Sequence, residues 1–285
     1  MTILALIGRG KWGQNYIKTI SQSNDWILSP ENIKTTDYSD LFSKKIDGII
    51  IATPTPTHFE IASDFLKKGF NILIEKPITK TYQEAIRLQK IALQHPKQIV
   101  MAGHLQLYNP GYSLLKSLLP KIGSIQTLEY YGLQSPTRTD TTLLEDWAPH
   151  PTYLFNDMLG QEPLSVKAEK EKQKQVKLTY YYKNNIIGIA HIAWLSNTKE
   201  RQIIVHGSIA TLIFDDLNKT ISLIKDNRLS VFQVNLQFSP LIMELKEFVS
   251  AIEKKRQPKS NITQAVSVMK ILQQFARSLT NTGNL

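Results

Sequence analysis

Three short segments hold residues whose types and spacing suit chemistry. Gly8-Arg9-Gly10-Lys11-Trp12-Gly13 closes an apolar run that extends from Ile3 to Gly8. A helix starting on these glycines presents free N–H groups and the positive end of its dipole to an anion. In that arrangement Gly8 permits the tight turn, Gly10 lets a pyrophosphate approach the backbone, and Gly13 lets the helix pack on the strand. The same glycines also suit a strand-to-helix turn that holds no ligand. The order strand, glycines, helix favours the phosphate reading.

Glu75-Lys76-Pro77 follows the apolar run Phe70–Glu75 and so falls at the carboxyl edge of a strand. A lysine there can pair with a developing oxyanion or position a substrate hydroxyl. Pro77 admits a cis bond, which would aim Lys76; the plainer alternative is a surface lysine paired with Glu75. Thr53-Pro54-Thr55-Pro56-Thr57-His58 reaches the same edge after another buried strand. Its prolines stiffen the loop, and its threonines can cap the next helix. In Asp146-Trp147-Ala148-Pro149-His150, an Asp and a His four apart share one side of a helix that begins early enough. The carboxylate would then orient the imidazole as a general base near neutral pH. A metal would need a third ligand that the spacing does not supply, and a histidine among prolines also suits a purely structural role. His58, His95, His104, His191 and His206 show no ligand spacing, and no serine or threonine sits in a nucleophile elbow.

These segments need rigid elements to carry them. The first hundred residues alternate strand and helix signals, as expected of a parallel sheet covered on both faces. Strands are expected at Ile3–Ile7, Ile46–Ala52, Phe70–Glu75 and Gln98–Ala102, with helices after the glycines and at Thr57–Lys68 and Thr81–Gln94. The stretch Asn24–Asp37 leaves room for very short strands at most. Beyond Gly103, alternating segments joined by polar turns predict a largely antiparallel sheet exposed on one side, with helices including Tyr112–Leu118, Thr152–Leu159, Leu241–Glu253 and Ile262–Leu279. The expected architecture is α/β: a dinucleotide-binding domain over residues 1–103 and an α+β domain over 104–285.

At 285 residues, with 42% hydrophobic and 20% charged residues, the chain is expected to be globular rather than disordered. No stretch is apolar enough to span a bilayer, and the N-terminal run lacks a basic leader and cleavage site. Zero cysteines exclude disulfides, thiolate ligands and a cysteine nucleophile, and permit a cytoplasmic location. The net charge of +10 is dispersed: Lys167–Lys177 interleaves lysine with glutamate and glutamine, and Lys254-Lys255-Arg256 suits a helix C-terminus. That pattern favours a small anionic ligand over nucleic acid or a membrane surface.

Together the glycine fingerprint, the TP-rich loop, the Glu-Lys-Pro segment and the Asp-x-x-x-His segment resemble the Gfo/Idh/MocA oxidoreductase family. Gly10-Lys11-Trp12-Gly13-Gln14-Asn15, Gly103-His104 through Tyr108-Asn109-Pro110, Ala148-Pro149-His150 and Pro240-Leu241 through Glu244-Leu245 to Phe248 sharpen the resemblance toward members acting on nucleotide-activated sugars, UDP-N-acetylglucosamine 3-dehydrogenases among them. The resemblance implies a Rossmann domain and an open-sheet domain, NAD or NADP as cofactor, and a homodimer or homotetramer. It implies cofactor contacts from Gly8, Arg9, Gly10, Lys11, Trp12, Gly13, Ser29, Thr53, Pro54, Thr55, His58, Glu75 and Lys76. Lys76 would also contact the substrate hydroxyl, with His150 as proton acceptor assisted by Asp146, and Tyr108, Asn109 and Arg201 on the substrate side. The chain departs from the family where Pro151 follows His150 in place of an Asp, in the shortened Asn24–Asp37 stretch, and at Ser29, near the position of the ribose-reading acid. A non-catalytic relative binding a sugar or a partner protein is the alternative.

Overall fold

The computed structural model describes residues 1–23, 25–29, 37–134, 141–172, 174–194, 199–235 and 237–281. Much of the Asn24–Asp37 stretch therefore lies outside the described residues. The chain divides into two compact units, Met1–Tyr108 with Ser239–Met269, and Asn109–Phe238 with Lys270–Leu285.

The first unit is built on β1 (Thr2–Ile7), α1 (Lys11–Ser21), β2 (Trp26–Leu28), β3 (Gly48–Ile51), α2 (His58–Lys67), β4 (Asn71–Glu75), α3 (Tyr82–Gln94) and β5 (Val100–Gly103). Its strands pair in parallel in the order β2-β1-β3-β4-β5. Strands buried on both faces read as continuous apolar runs, and side-chain alternation sends them to two cores. Ala5, Ile7, Ile49, Ile51, Ile72 and Ile74 face α2 and α3, meeting Phe65, Leu66, Ala85 and Leu88. Leu4, Leu6, Ile50 and Leu73 face the opposite way, against Tyr16 and Ile20 of α1.

The division at residue 103 needs correction. The helix at Pro240–Lys254 (α7, numbered after the second unit's elements) lays Leu241, Leu245 and Phe248 into the core beneath α1. Gly48 makes room: a Cβ there would lie 2.7 Å from the Phe248 ring. Each such side chain contributes about 1.5–3 kcal/mol when fully buried.

The second unit contains α4 (Pro110–Leu118), β6 (Ile125–Gln134), α5 (Leu143–Trp147), α6 (Pro149–Leu159), β7 (Ser165–Lys172), β8 (Gln175–Tyr181), β9 (Ile187–Trp194), β10 (Glu200–Gly207), β11 (Thr211–Asp215), β12 (Thr220–Lys225) and β13 (Arg228–Gln233). The sheet order is β13-β12-β11-β10-β6-β9-β8-β7, antiparallel except for the parallel β6–β9 pair. One face is buried through Leu128, Leu178, Tyr180, Ala190, Val205 and Phe214. On the other, Glu129, Tyr131, His191 and His206 form a polar network. The Lys167–Lys177 stretch, with its interleaved charges, supplies most of β7 and the start of β8; in β7, Ala168 is the buried residue. The last helix, α8 (Ile262–Asn281), has its opening turns in the first unit and the remainder in the second.

Candidate active site

The glycine turn takes the form its spacing predicts. Gly8 has φ +95°, and a Cβ there would lie 2.5 Å from the Ala52 backbone. A Cβ on Gly13 would lie 2.0 Å from the Gly8 carbonyl oxygen, whereas one on Gly10 meets nothing within 4 Å. Gly10 is also the N-cap of α1, with no side-chain cap and no acidic residue in the first turn. The structure thus leaves open backbone at the positive end of a helix dipole.

Lys76 emerges at the carboxyl end of β4, and the Lys76–Pro77 bond is cis. Alternation turns Glu75 toward α1 rather than to the surface. Its Oε1 accepts from the Trp12 indole N–H and from the Tyr16 hydroxyl (2.7 Å), and its Oε2 accepts from the Lys76 backbone N–H at 3.1 Å. Glu75 therefore ties the glycine turn to the backbone of the lysine that follows it. Burial pushes its carboxyl up from the usual range, against the lowering effect of these donors. Tyr16 Oη also lies 3.3 Å from Oε2 of the fully buried Glu244 on α7.

The Thr53–His58 loop is held from below. His58 is 1% exposed, with Nδ1 2.9 Å from the Pro77 carbonyl and Nε2 2.8 Å from the Thr53 carbonyl. An imidazolium would donate to both. Burial lowers the pKa and favours the neutral ring, which donates to one. His58 fastens two loops together, both of its ring nitrogens engaged by backbone carbonyls. The expected threonine cap is also absent: Thr57 Oγ1 donates to Thr53 Oγ1 at 2.7 Å, and α2 begins without a side-chain cap. Thr53, Pro54 and Thr55 remain at the sheet edge. Ser29 is buried just past β2, its N–H donating to the Leu4 carbonyl at 2.8 Å.

Within the second unit, a Thr142–Glu145 capping box starts α5, which carries Asp146, and α6 carries His150. His150 Nδ1 and the buried Tyr153 hydroxyl are 2.6 Å apart. The Trp194 indole N–H donates to Asp146 Oδ2 at 3.3 Å. The Trp147 ring lies 5.8 Å from that of His150, and the Arg201 guanidinium lies 5.6 Å from the centre of the Trp147 ring. Arg201 Nε is buried with no hydrogen-bond partner among the described residues, while an NH2 donates to Gln134 at 3.3 Å. Tyr153 was not singled out by the sequence reading, although three residues after His150 is a helical neighbour.

Two residues expected on the substrate side make hydrogen bonds within the scaffold. Tyr108 shares a 2.8 Å hydrogen bond with the Ser260 hydroxyl, and burial pushes its phenol up. Asn109 caps α4 through Gly111 and donates to Asp216 at 3.0 Å.

Residues 29–104 match the model of the Gfo/Idh/MocA oxidoreductase family, described by its NAD-binding Rossmann fold. A UDP-N-acetylglucosamine 3-dehydrogenase of Acidithiobacillus ferrooxidans is 31% identical over 132 residues, 45% of this chain. The chain spans 41% of the length of that relative. A crystal structure of a protein from Magnetospirillum magnetotacticum MS-1 is 27% identical, with TM-score 0.83 over 96% of this chain and 99% of that one. Over residues 29–104 the chain is similar to the Gfo/Idh/MocA family. The solved UDP-N-acetylglucosamine 3-dehydrogenase from Acidithiobacillus ferrooxidans shares the fold, with TM-score 0.84 and 20% identity over 97% of each chain.

The residues present fit the family's cofactor. The space beside Gly10, which a Cβ would fill, and the uncapped start of α1 suit a pyrophosphate, and neither Lys11 nor Trp12 nor Gly13 opposes its charge. The described residues contain no group of three or more His, Asp or Glu side chains arranged to hold a metal ion. No described helix is long and apolar enough to cross a membrane.

Proposed function

We propose that this chain is a member of the Gfo/Idh/MocA family and an NAD(P)-dependent oxidoreductase of a sugar or nucleotide-sugar carbinol. The observation that carries the reading is the Trp12–Glu75 hydrogen bond, which binds the phosphate-accepting turn to the segment leading into Lys76. Gly8, Gly10 and Gly13 would hold the pyrophosphate, with Arg9 and Lys11 balancing its charge. When bound, the nicotinamide supplies the hydride acceptor or donor.

The protein's own residues handle the proton and the oxygen. Oxidation of a carbinol to a carbonyl requires its hydroxyl proton to leave as the C–H hydride departs. His150 would receive that proton at Nε2 while Nδ1 is held by Tyr153, with Asp146 alongside. The Lys76 ammonium would donate to the carbinol oxygen and stabilise negative charge on it. Arg201, with its unpartnered Nε, would pair with an anionic substituent such as a diphosphate or carboxylate. The net charge of +10 is in keeping with an anionic substrate. The open sheet face of the second unit would meet a second copy of the chain, giving a homodimer or homotetramer in the cytoplasm.

The reading is tested by following reduced-nicotinamide absorbance with NAD+ and NADP+ against a panel of UDP-sugars and free sugars. The expected result is turnover that falls at least a hundredfold in Lys76→Ala and in His150→Ala, in line with lost acid–base and electrostatic catalysis. Cofactor binding without turnover on any sugar would favour a ligand-binding relative instead.

A further inference from the structure

The first unit buries an acid that the hydride-transfer chemistry does not use. Glu244 on α7 is fully buried among Leu241, Leu245 and Phe248. Its Oε2 lies 3.3 Å from the Tyr16 hydroxyl, and its Oε1 has no hydrogen-bond partner among the described residues. The same hydroxyl lies 2.7 Å from Glu75 Oε1. Two carboxyl groups thus flank one phenol, which has a single proton to give.

Two ionised carboxylates around one buried hydroxyl repel each other in a medium that screens poorly. One of them therefore keeps a proton, and the donors decide which. Glu75 receives three: the Trp12 indole, the Tyr16 hydroxyl and the Lys76 backbone N–H. Hydrogen bonds to a charged form favour that form, and among the described residues Glu244 has only the shared phenol. With Glu75 as the anion, the Tyr16 proton points to it, and the longer contact is made by a proton on Glu244. Burial and the neighbouring Glu75 both push the Glu244 carboxyl far up.

We infer that Glu244 is a positioning residue, held as a neutral carboxylic acid that donates to Tyr16 and so directs the Tyr16 proton onto Glu75. The chain Glu244–Tyr16–Glu75 then leaves one negative charge beside Lys76 and fixes both the Trp12 indole and the backbone entering Lys76. Tyr108, bonded to Ser260, lies within the electrostatic reach of Glu244 and of Glu247, and Glu247 is paired with Arg256 at 2.7 Å. This inference rests on Lys76 as the active-site lysine only for its effect on turnover; the proton on Glu244 is tested without it.

The experiment is infrared spectroscopy of the full chain at pH 7, reading the carbonyl stretch of a protonated carboxyl group. The wild type and Glu75→Gln are expected to show the band, and Glu244→Gln to lack it. No band in the wild type, or a band that survives Glu244→Gln and vanishes in Glu75→Gln, overturns the assignment. A pH profile of kcat/KM is the second readout. Glu244→Gln, whose amide still donates, should keep its profile unshifted and its rate within about twofold, because no charge is lost. Glu244→Leu should lower kcat about tenfold, since the Tyr16 oxygen loses the donor that directs its proton onto Glu75. A shift of the Glu244→Gln profile, or equal rates for the Gln and Leu variants, contradicts the role. A retained infrared pattern with no turnover at all would instead count against the dehydrogenase reading.

Discussion

Gly13 sits against the carbonyl of Gly8 so closely that a Cβ would come within 2.0 Å of the oxygen. Helix α1 rests on the end of β1 through this contact, and no side chain can be added without moving one of them. Gly13→Ala is expected to destabilise the chain by about 1–3 kcal/mol through overpacking. Denaturant midpoints at unchanged slope will measure it.

His58 joins two loops from inside the protein. His58→Ala should cost about 2–4 kcal/mol, since it removes buried hydrogen bonds and leaves a cavity beneath both Thr53 and Pro77. Thermal unfolding checks the cost. The same variant should weaken cofactor affinity less than tenfold, because His58 supports the loop without touching a ligand.

His104 sets part of the acid sensitivity. Burial, foremost, lowers its pKa to about 3, with the charge on Lys76 acting in the same direction and the Gln264 hydrogen bond against it. The folded state therefore binds fewer protons than the unfolded state between pH 6.5 and about 3. Stability from this residue is complete above pH 6.5 and declines as pH falls, at most about 1.4 kcal/mol per pH unit. His104→Gln should flatten the acid limb of a stability-versus-pH curve; an unchanged slope would contradict this.

Tyr153 holds His150 by its Nδ1. Tyr153→Phe should lower kcat by about tenfold with a smaller effect on KM, because orientation of a catalytic imidazole matters most at the proton-transfer step. Steady-state kinetics separates the two constants.

Much of this arrangement was legible in the sequence. The continuous apolar strands, the tight turn at Gly8, the close helix–strand packing at Gly13 and the Glu-Lys-Pro edge follow from local chain geometry, and the structure repeats them. Alternation along β4 even fixes the side to which Glu75 turns. The discontinuous first unit was not legible. The amphipathic pattern of α7 shows which stripe is buried but not which sheet it meets, and Gly48 gives only a faint hint of Phe248. β7 escaped notice because an edge strand that is mostly exposed reads as a charged surface. Asn109 and Tyr108 share a segment with the family, yet their partners Asp216 and Ser260 lie far along the chain, beyond the reach of any local pattern.

The cofactor reading stands most directly on Gly10. Its backbone conformation suits any residue, and a Cβ there meets no protein atom within 4 Å. Gly10→Val should therefore fold with the wild-type melting temperature. Calorimetric titration with NAD+ and NADP+ is the measurement: the wild type should bind at least one of them at one site per chain, and Gly10→Val should bind at least tenfold more weakly because the added side chain occupies the pyrophosphate position. Failure of the wild type to bind either nucleotide, or equal binding by a folded Gly10→Val, would contradict the account.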